Sequence, residues 1–325
     1  MSSDTDVSRI PEPDHIGVIV KDIDETAELL SSTLGIVFHE NLRNLVADKK
    51  LAVGKPHRFH AVHAKLGPIG FELLQPLDED SALGQFLKIK GEGLHHIAFD
   101  ALNWDEVVTK LIVRGSKILQ GGIASHTANV NRWADWKTGS GGIILQLAEK
   151  KVEGGSKAEG GTILDIELGE TKVEGGINIS PDADVLRLPD PDRIGVIVKD
   201  IDETAEFLSS TLGIVFHEIL RNLVYEKMTV GKPFSLHAAH ANLGPIGFEL
   251  LQPLDEESML GQFLKTKGEG LHHIAFKFSN WDEVVSKLKR QGSNILLGGI
   301  NPWGKRYCYF KTKLGGMVIE FDEKV

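Results

Sequence analysis

The sequence predicts an α+β chain of four βαβββ units, grouped as two tandem modules. Three observations carry this reading. The stretch DHIGVIVKDIDETAE at 14–28 returns as DRIGVIVKDIDETAE at 192–206, with His15 replaced by Arg193 as the one change. The likeness then continues: TLGIVFHE at 33–40 and 211–218, GPIGFELLQPLDE at 67–79 and 244–256, GEGLHHIAF at 91–99 and 268–276, NWDEVV at 103–108 and 280–285. A spacing of about 177 residues is far longer than a solenoid repeat and marks a duplicated domain. Finally, within each module the same order of strand-like and helix-like patterns occurs twice.

The elements follow in order. HIGVIV alternates apolar and small residues after Asp14, a strand pattern. KDIDETAELLSSTLG then sets Ile23, Ala27, Leu30 and Leu34 at helical spacing and stops at Gly35. IVFHENL, FHAVHAKL and IGFELLQ read as three short strands. The second half repeats the order: HHIAFDA as a strand, WDEVVTKLIVRG as a helix closed by Gly115, strands near 117–119 and 130–137, then IILQLAE. The module tails diverge. GSGGIILQLAE at 139–149 faces KLGGMVIEFDE at 313–323, which places three extra residues around 124–140 of the first module. The modules run over 10–150 and 188–325. The segment 151–187 is Gly-rich and charged at its ends and reads as a linker, with TILDIEL as a candidate strand inside it.

Composition narrows the function. The formal net charge is -10, which argues against nucleic acid or an anionic membrane surface as partner. No apolar run approaches the roughly 18 residues of a membrane helix, and the first residues lack a signal-peptide pattern. Cys308 is the single cysteine, so neither a disulfide framework nor a cysteine zinc site is available. A cytoplasmic protein with a small-molecule substrate fits best. It is expected to be a pseudo-dimeric monomer or a homodimer.

Four polar residues occupy strand positions where apolar ones are expected: His15, Glu72, His96 and Gln146. One comes from the first strand of each half and one from the last. Two half-units side by side bring such residues to one concave face. Imidazole nitrogens with a carboxylate suit a divalent first-row metal and leave positions for water or substrate. Taken singly, each is more often an ordinary hydrogen-bonded strand residue than a ligand. Because side chains alternate along a strand, His95 and His96 are expected to point to opposite faces.

DHIGVIV, GFELLQPLDEDS, GQFLKIKGEGLHHIAF and the terminal GGIILQL together resemble the vicinal oxygen chelate superfamily, and within it the methylmalonyl-CoA epimerases. The resemblance covers both modules. It implies paired βαβββ units forming curved mixed sheets around one divalent metal ion, with cobalt, manganese, nickel, zinc and iron all admissible. The implied ligands fall on His15, Glu72, His96 and Gln146 in the first module. In the second they fall on Arg193, Glu249, His273 and Glu320. Arg193 has no lone pair and cannot ligate. It is expected to pair with Glu249 or Glu320 and take the metal's space. Some members of this superfamily build a site across two modules, which here gives His15, Glu72, His273 and Glu320 as an alternative set.

The resemblance further implies an isomerase, an epimerase working through an enolate next to the carbonyl of a small compound or acyl thioester. Its third-strand base position falls on His60, with His63 as the neighbouring candidate. A histidine is a competent base near neutral pH. Lyase or dioxygenase chemistry and a non-catalytic binding protein are the competing readings.

Overall fold

The computed structural model describes residues 12–47, 51–123, 130–150 and 185–324. The TILDIEL stretch lies outside them, as does part of the 124–140 insertion. Eighteen strands and six helices occur among the described residues, an α+β fold in two tandem modules.

In the first module the order is β1 (Pro13–Ile19), α1 (Ile23–Leu34), β2 (Phe38–Ala47), β3 (Leu51–Val53), β4 (His57–Leu66), β5 (Ile69–Pro76) and α2 (Ala82–Lys90). Then come β6 (Gly93–Ala101), α3 (Trp104–Val113), β7 (Lys117–Ile123), β8 (Val130–Lys137) and β9 (Ile144–Lys150). The second module repeats this as β10 (Pro191–Ile197), α4 (Ile201–Leu212), β11 (Phe216–Tyr225), β12 (Lys227–Val230), β13 (Phe234–Leu243), β14 (Ile246–Pro253) and α5 (Met259–Lys267). It ends in β15 (Gly270–Phe278), α6 (Trp281–Arg290), β16 (Asn294–Ile300), β17 (Arg306–Lys311) and β18 (Val318–Glu323).

Each module folds as one curled, mixed, nine-stranded sheet. The first has the order β2-β4-β5-β1-β6-β9-β8-β7-β3 and the second repeats it as β11-β13-β14-β10-β15-β18-β17-β16-β12. The two half-units therefore meet at their first strands, β1 and β6, which pair antiparallel. Each first strand is flanked by the last strand of its own half, in parallel: β1 by β5 and β6 by β9. The four strands bearing the expected ligands are thus consecutive neighbours.

Local chemistry sets the helix ends. Asp22 caps α1 by accepting the Glu25 N–H at 2.9 Å, and Gly35 closes it at φ 69°, a conformation that favours glycine. Ile16 and Val18 of β1, with Val20 just after it, join Ile23, Ala27 and Leu30 of α1 in a large apolar core that includes residues from both modules. Leu186 is buried in that core and donates its N–H to Thr33 O at 3.1 Å, so the end of the expected linker is already packed on α1.

Two kinds of element add to the sequence reading. Helices α2 and α5 are short, and the buried positions Leu83 and Gly84 of α2 form no helical stripe. Their signal is the caps: Ser81 Oγ accepts the Gly84 N–H at 2.9 Å, and Gly91 ends the helix at φ 78°. Strands β3 and β12 are edge strands that pair with β7 and β16 across the far half of each sheet.

Candidate metal centre

His15, Glu72 and His96 sit on adjacent strands at matched heights. Gly17 is the register partner of both Glu72 on β5 and His96 on β6. Glycine is required there, because a Cβ on Gly17 would lie inside the His96 ring. His15 Nε2 lies 3.1 Å from His96 Nε2 and 3.5 Å from Glu72 Oε2, and His96 Nε2 lies 3.7 Å from the same oxygen. All three side chains are buried. Gln146 is the register partner of Ala98 on β6, two residues from His96, and is also buried.

The outward ring nitrogens are engaged, which aims the inner ones at the centre. His15 Nδ1 meets Asp14 Oδ2 at 2.8 Å, and His96 Nδ1 meets His95 Nδ1 at 2.9 Å. Such partners fix which nitrogen faces a metal. The His95 contact corrects the alternation argument. Gly17 pairs with His96 but Val18 pairs with Leu94, so His95 is the extra residue of a β-bulge. The bulge turns both rings to one side, where His95 packs edge-on against Phe86 of α2.

This donor set fits a divalent cation. Gln146 Oε1 is a buried acceptor without a hydrogen-bond partner, and Glu72 Oε2 is met only by the His15 and His96 ring nitrogens at 3.5 and 3.7 Å, too far for a strong hydrogen bond; such buried acceptors suit a cation between them. Two imidazole nitrogens at 3.1 Å are reconciled by a shared proton or by a cation. Burial opposes charge on His15, but Asp14 and Glu72 outweigh it and raise its pKa to about 9. Burial and then the neighbouring His95 and His15 hold His96 well below the usual histidine range. Metal must therefore displace the His15 proton. Cobalt affinity measured calorimetrically should rise about tenfold per pH unit between pH 6 and pH 8, with about one proton released per ion. A pH-independent affinity would contradict this.

The two expected bases go elsewhere. His60 pairs in register with Gln75, whose side chain accepts the Ile23 N–H at the start of α1, so both face the helices. There His60 Nδ1 accepts the N–H of Asn44, which holds φ 53°. His237 does the same for Asn222 in the second module, so the role is structural and His60 is not part of the centre. His63 is the register partner of Glu72 and faces inward. Both its nitrogens meet carboxylates: Nδ1 with Glu40 Oε2 at 2.6 Å and Nε2 with Glu72 Oε1 at 3.0 Å. Burial works against its charge, yet these carboxylates raise its pKa, so His63 braces Glu72 rather than taking up protons.

Sequence reasoning missed Asp135. It lies on β8 as the register partner of Gln146 and of Gln120 on β7, and it is 1% exposed. Gln120 Nε2 donates to its Oδ2 at 2.7 Å, while Oδ1 has no partner. Burial raises its pKa to about 6 against the support of the Gln120 and Gln146 amides, and it feels the charges of Glu72 and His15. WADWK gives no sign of this, because a strand Asp between tryptophans reveals its direction only once the register is known.

The alternative crossed set is not brought together. His15 and Glu72 belong to one sheet and His273 and Glu320 to the other, since the neighbours of every first strand come from its own module. Comparison with known proteins agrees with this architecture: the glyoxalase/bleomycin resistance protein/dioxygenase superfamily matches residues 14–132 and again 192–310. The chain belongs to this superfamily. A Bacillus subtilis (strain 168) protein named YqjC is 28% identical over 144 residues, covering 41% of this chain and 90% of that protein. Human mitochondrial methylmalonyl-CoA epimerase is 28% identical over 138 residues, covering 40% of this chain and 72% of the epimerase. A mutant of 4-hydroxymandelate synthase from Streptomyces coelicolor superposes over 97% of this chain and 93% of its own, with TM-score 0.62 and 15% identity, a likeness of fold.

The second glyoxalase-superfamily module keeps the same wall but closes it with charge. Glu249, His273 and Glu320 converge as their counterparts do. Arg193 reaches among them: Nε to Glu249 Oε2 at 2.9 Å, Nη2 to Glu320 Oε2 at 2.6 Å, and Nη1 to Asp322 Oδ2 at 2.7 Å and Asp192 Oδ2 at 2.9 Å. It thus pairs with both expected glutamates. His273 Nε2 meets Glu249 at 2.9 Å and Glu320 at 3.0 Å, and these carboxylates overcome burial to raise its pKa to about 9. The cluster is satisfied by its own cations.

Proposed function

We propose that the first module is the catalytic module of a divalent-metal-dependent isomerase, of the epimerase type, acting beside the carbonyl of a small carbonyl compound or acyl thioester. The observation that carries this reading is the convergence of His15, Glu72 and His96, with one ligand atom of each within 4.8 Å of the others around a buried Glu72 oxygen. Gln146 offers a fourth, neutral oxygen. Such a mixed donor set admits cobalt, manganese, nickel, zinc or iron. A metal held there would polarise a substrate carbonyl and stabilise negative charge developing on its oxygen. The chain's own residues do the rest. Ile19, Phe59, Ala61 and Leu74 with Leu83 of α2 form an apolar cluster on the same face of the sheet and exclude water.

The proton-transfer role falls to Asp135. Gln146 cannot accept a proton, and His63 holds its own between two carboxylates. Asp135 has a free buried oxygen and a pKa raised to about 6, near the optimum for a base at neutral pH. Asp135→Asn keeps an acceptor for Gln120 but removes the base. With cobalt-loaded protein in D2O, exchange of the proton next to the carbonyl of 2-methyl-branched acyl thioesters should be followed by NMR. The variant should lose about 10²–10⁴-fold in exchange rate while retaining its metal. Unchanged exchange would reject the role of Asp135.

A second reading rests on the same three side chains, because two histidines and one carboxylate also suit Fe(II) oxygenase chemistry. Oxygen uptake by iron-loaded protein supports that reading. Proton exchange under anaerobic conditions supports the first.

A further inference from the structure

A cavity of about 700 Å³ lies at the junction of the two modules. Its walls come in pairs related by the duplication: Phe86 of α2 with Phe263 of α5, Lys90 with Lys267, and Lys137 of β8 with Lys311 of β17. Lys21 and Lys313 complete its set of cations. The floor is apolar, with Ile144 and Val318 beside the phenylalanines, and the buried, neutral rings of His95 and His272 lie behind it.

Charge is what makes this cavity unusual. Six lysines line it against two glutamates, Glu92 and Glu269, in a chain whose net charge is -10. The two glutamates are turned to the backbone, accepting the N–H groups of Lys21 and Lys199 at 2.9 Å each. Lys90 Nζ donates to Glu269 O at 3.2 Å and Lys267 Nζ donates to Lys90 O, contacts that latch the modules but neutralise nothing. None of the six lysines forms an ion pair with a described residue. Burial and then the nearby Lys137 and Lys267 depress the Lys90 pKa against the pull of Glu269. Cations held together over an apolar floor favour a ligand that is itself amphipathic and negative.

We propose that this junction cavity is a binding site for a small amphipathic anion, its apolar body between Phe86 and Phe263 and its carboxylate or phosphate group among the lysines. The site adjoins the candidate metal centre through His95, which lines the cavity and contacts His96, and does not rest on the proposed reaction.

The test is calorimetric titration of the full chain with three probes of one tail length: decanoate, decyl phosphate and decyltrimethylammonium. One or both anions should bind, more weakly as salt rises, and the cation should not. Preference between the two anions identifies the head group. The Lys90→Gln/Lys267→Gln variant should lose at least about tenfold in anion affinity. Because those lysines also latch the modules, Lys137→Gln/Lys311→Gln serves as a second variant; their ammonium groups hold no other part of the described structure. It too should weaken anion binding several-fold with an unchanged melting temperature. Equal binding of anion and cation, no anion binding, or full affinity in the second variant would overturn the proposal.

Discussion

His96→Ala is expected to strip the divalent metal from the chain, and His273→Ala to leave it bound. This is the largest effect the geometry implies. His96 is fully buried, and its Nε2 faces both His15 and Glu72. Removing a direct ligand costs more than losing a supporting partner, for which about 10–100-fold in affinity is typical. Metal affinity should therefore fall by more than about a hundredfold, with metal content near zero after dialysis. His273 occupies the equivalent place in the other sheet, but its Nε2 is held between Glu249 and Glu320. Its loss should cost stability in the second module and leave metal content unchanged. Circular dichroism confirms that both variants remain folded. Metal retained in His96→Ala and lost in His273→Ala would restore the crossed set.

Arg193→Ala should be the most destabilising single change in the second module, by about 3–5 kcal/mol at pH 7.5. The guanidinium is the counterion of Glu249, Glu320 and Asp322 at once. Removing it leaves buried carboxylates facing one another. The sign of the pH dependence follows. Burial, then Glu320, already raises Asp322 to about 6 even against Arg193. A carboxylate with a raised folded pKa destabilises the fold in full above that pKa, and the penalty shrinks as pH falls from it towards the unfolded value. The deficit measured by urea unfolding should thus shrink between pH 7.5 and pH 5.5. Arg193→His is the informative companion. It places an imidazole beside Glu249, His273 and Glu320 and should raise metal binding from about one ion to about two per chain. Metal at a hundred times its dissociation constant would then add about 2.7 kcal/mol. A deficit that grows on acidification, or no second ion in Arg193→His, would show that Arg193 is not what closes this site.

Much of this was legible in the sequence. His15, Glu72 and His96 stood out as polar residues in otherwise apolar strand patterns, and the duplication exposed Arg193 by contrast. What spacing could not supply was register. The side of the sheet reached by His60 or His63 depends on a count of alternations that the strand pattern leaves open by one residue. A β-bulge at His95 cancels the alternation that should have separated it from His96. Asp135 became visible once β8 was paired with β9. The choice between within-module and crossed sites is a question of which strands neighbour β1. Both arrangements share the same local sequence, and the difference lies in long-range pairing.

Metal is expected in the first module alone, entirely within its own four central strands, while Arg193 occupies the corresponding place in the second. Anomalous diffraction from crystals of the wild-type chain grown with cobalt tests this most directly. One peak per chain is expected, between His15, Glu72 and His96 with Gln146 at its edge, and no peak beside Arg193. A peak among Glu249, His273 and Glu320, or one coordinated by side chains of both modules, would contradict it.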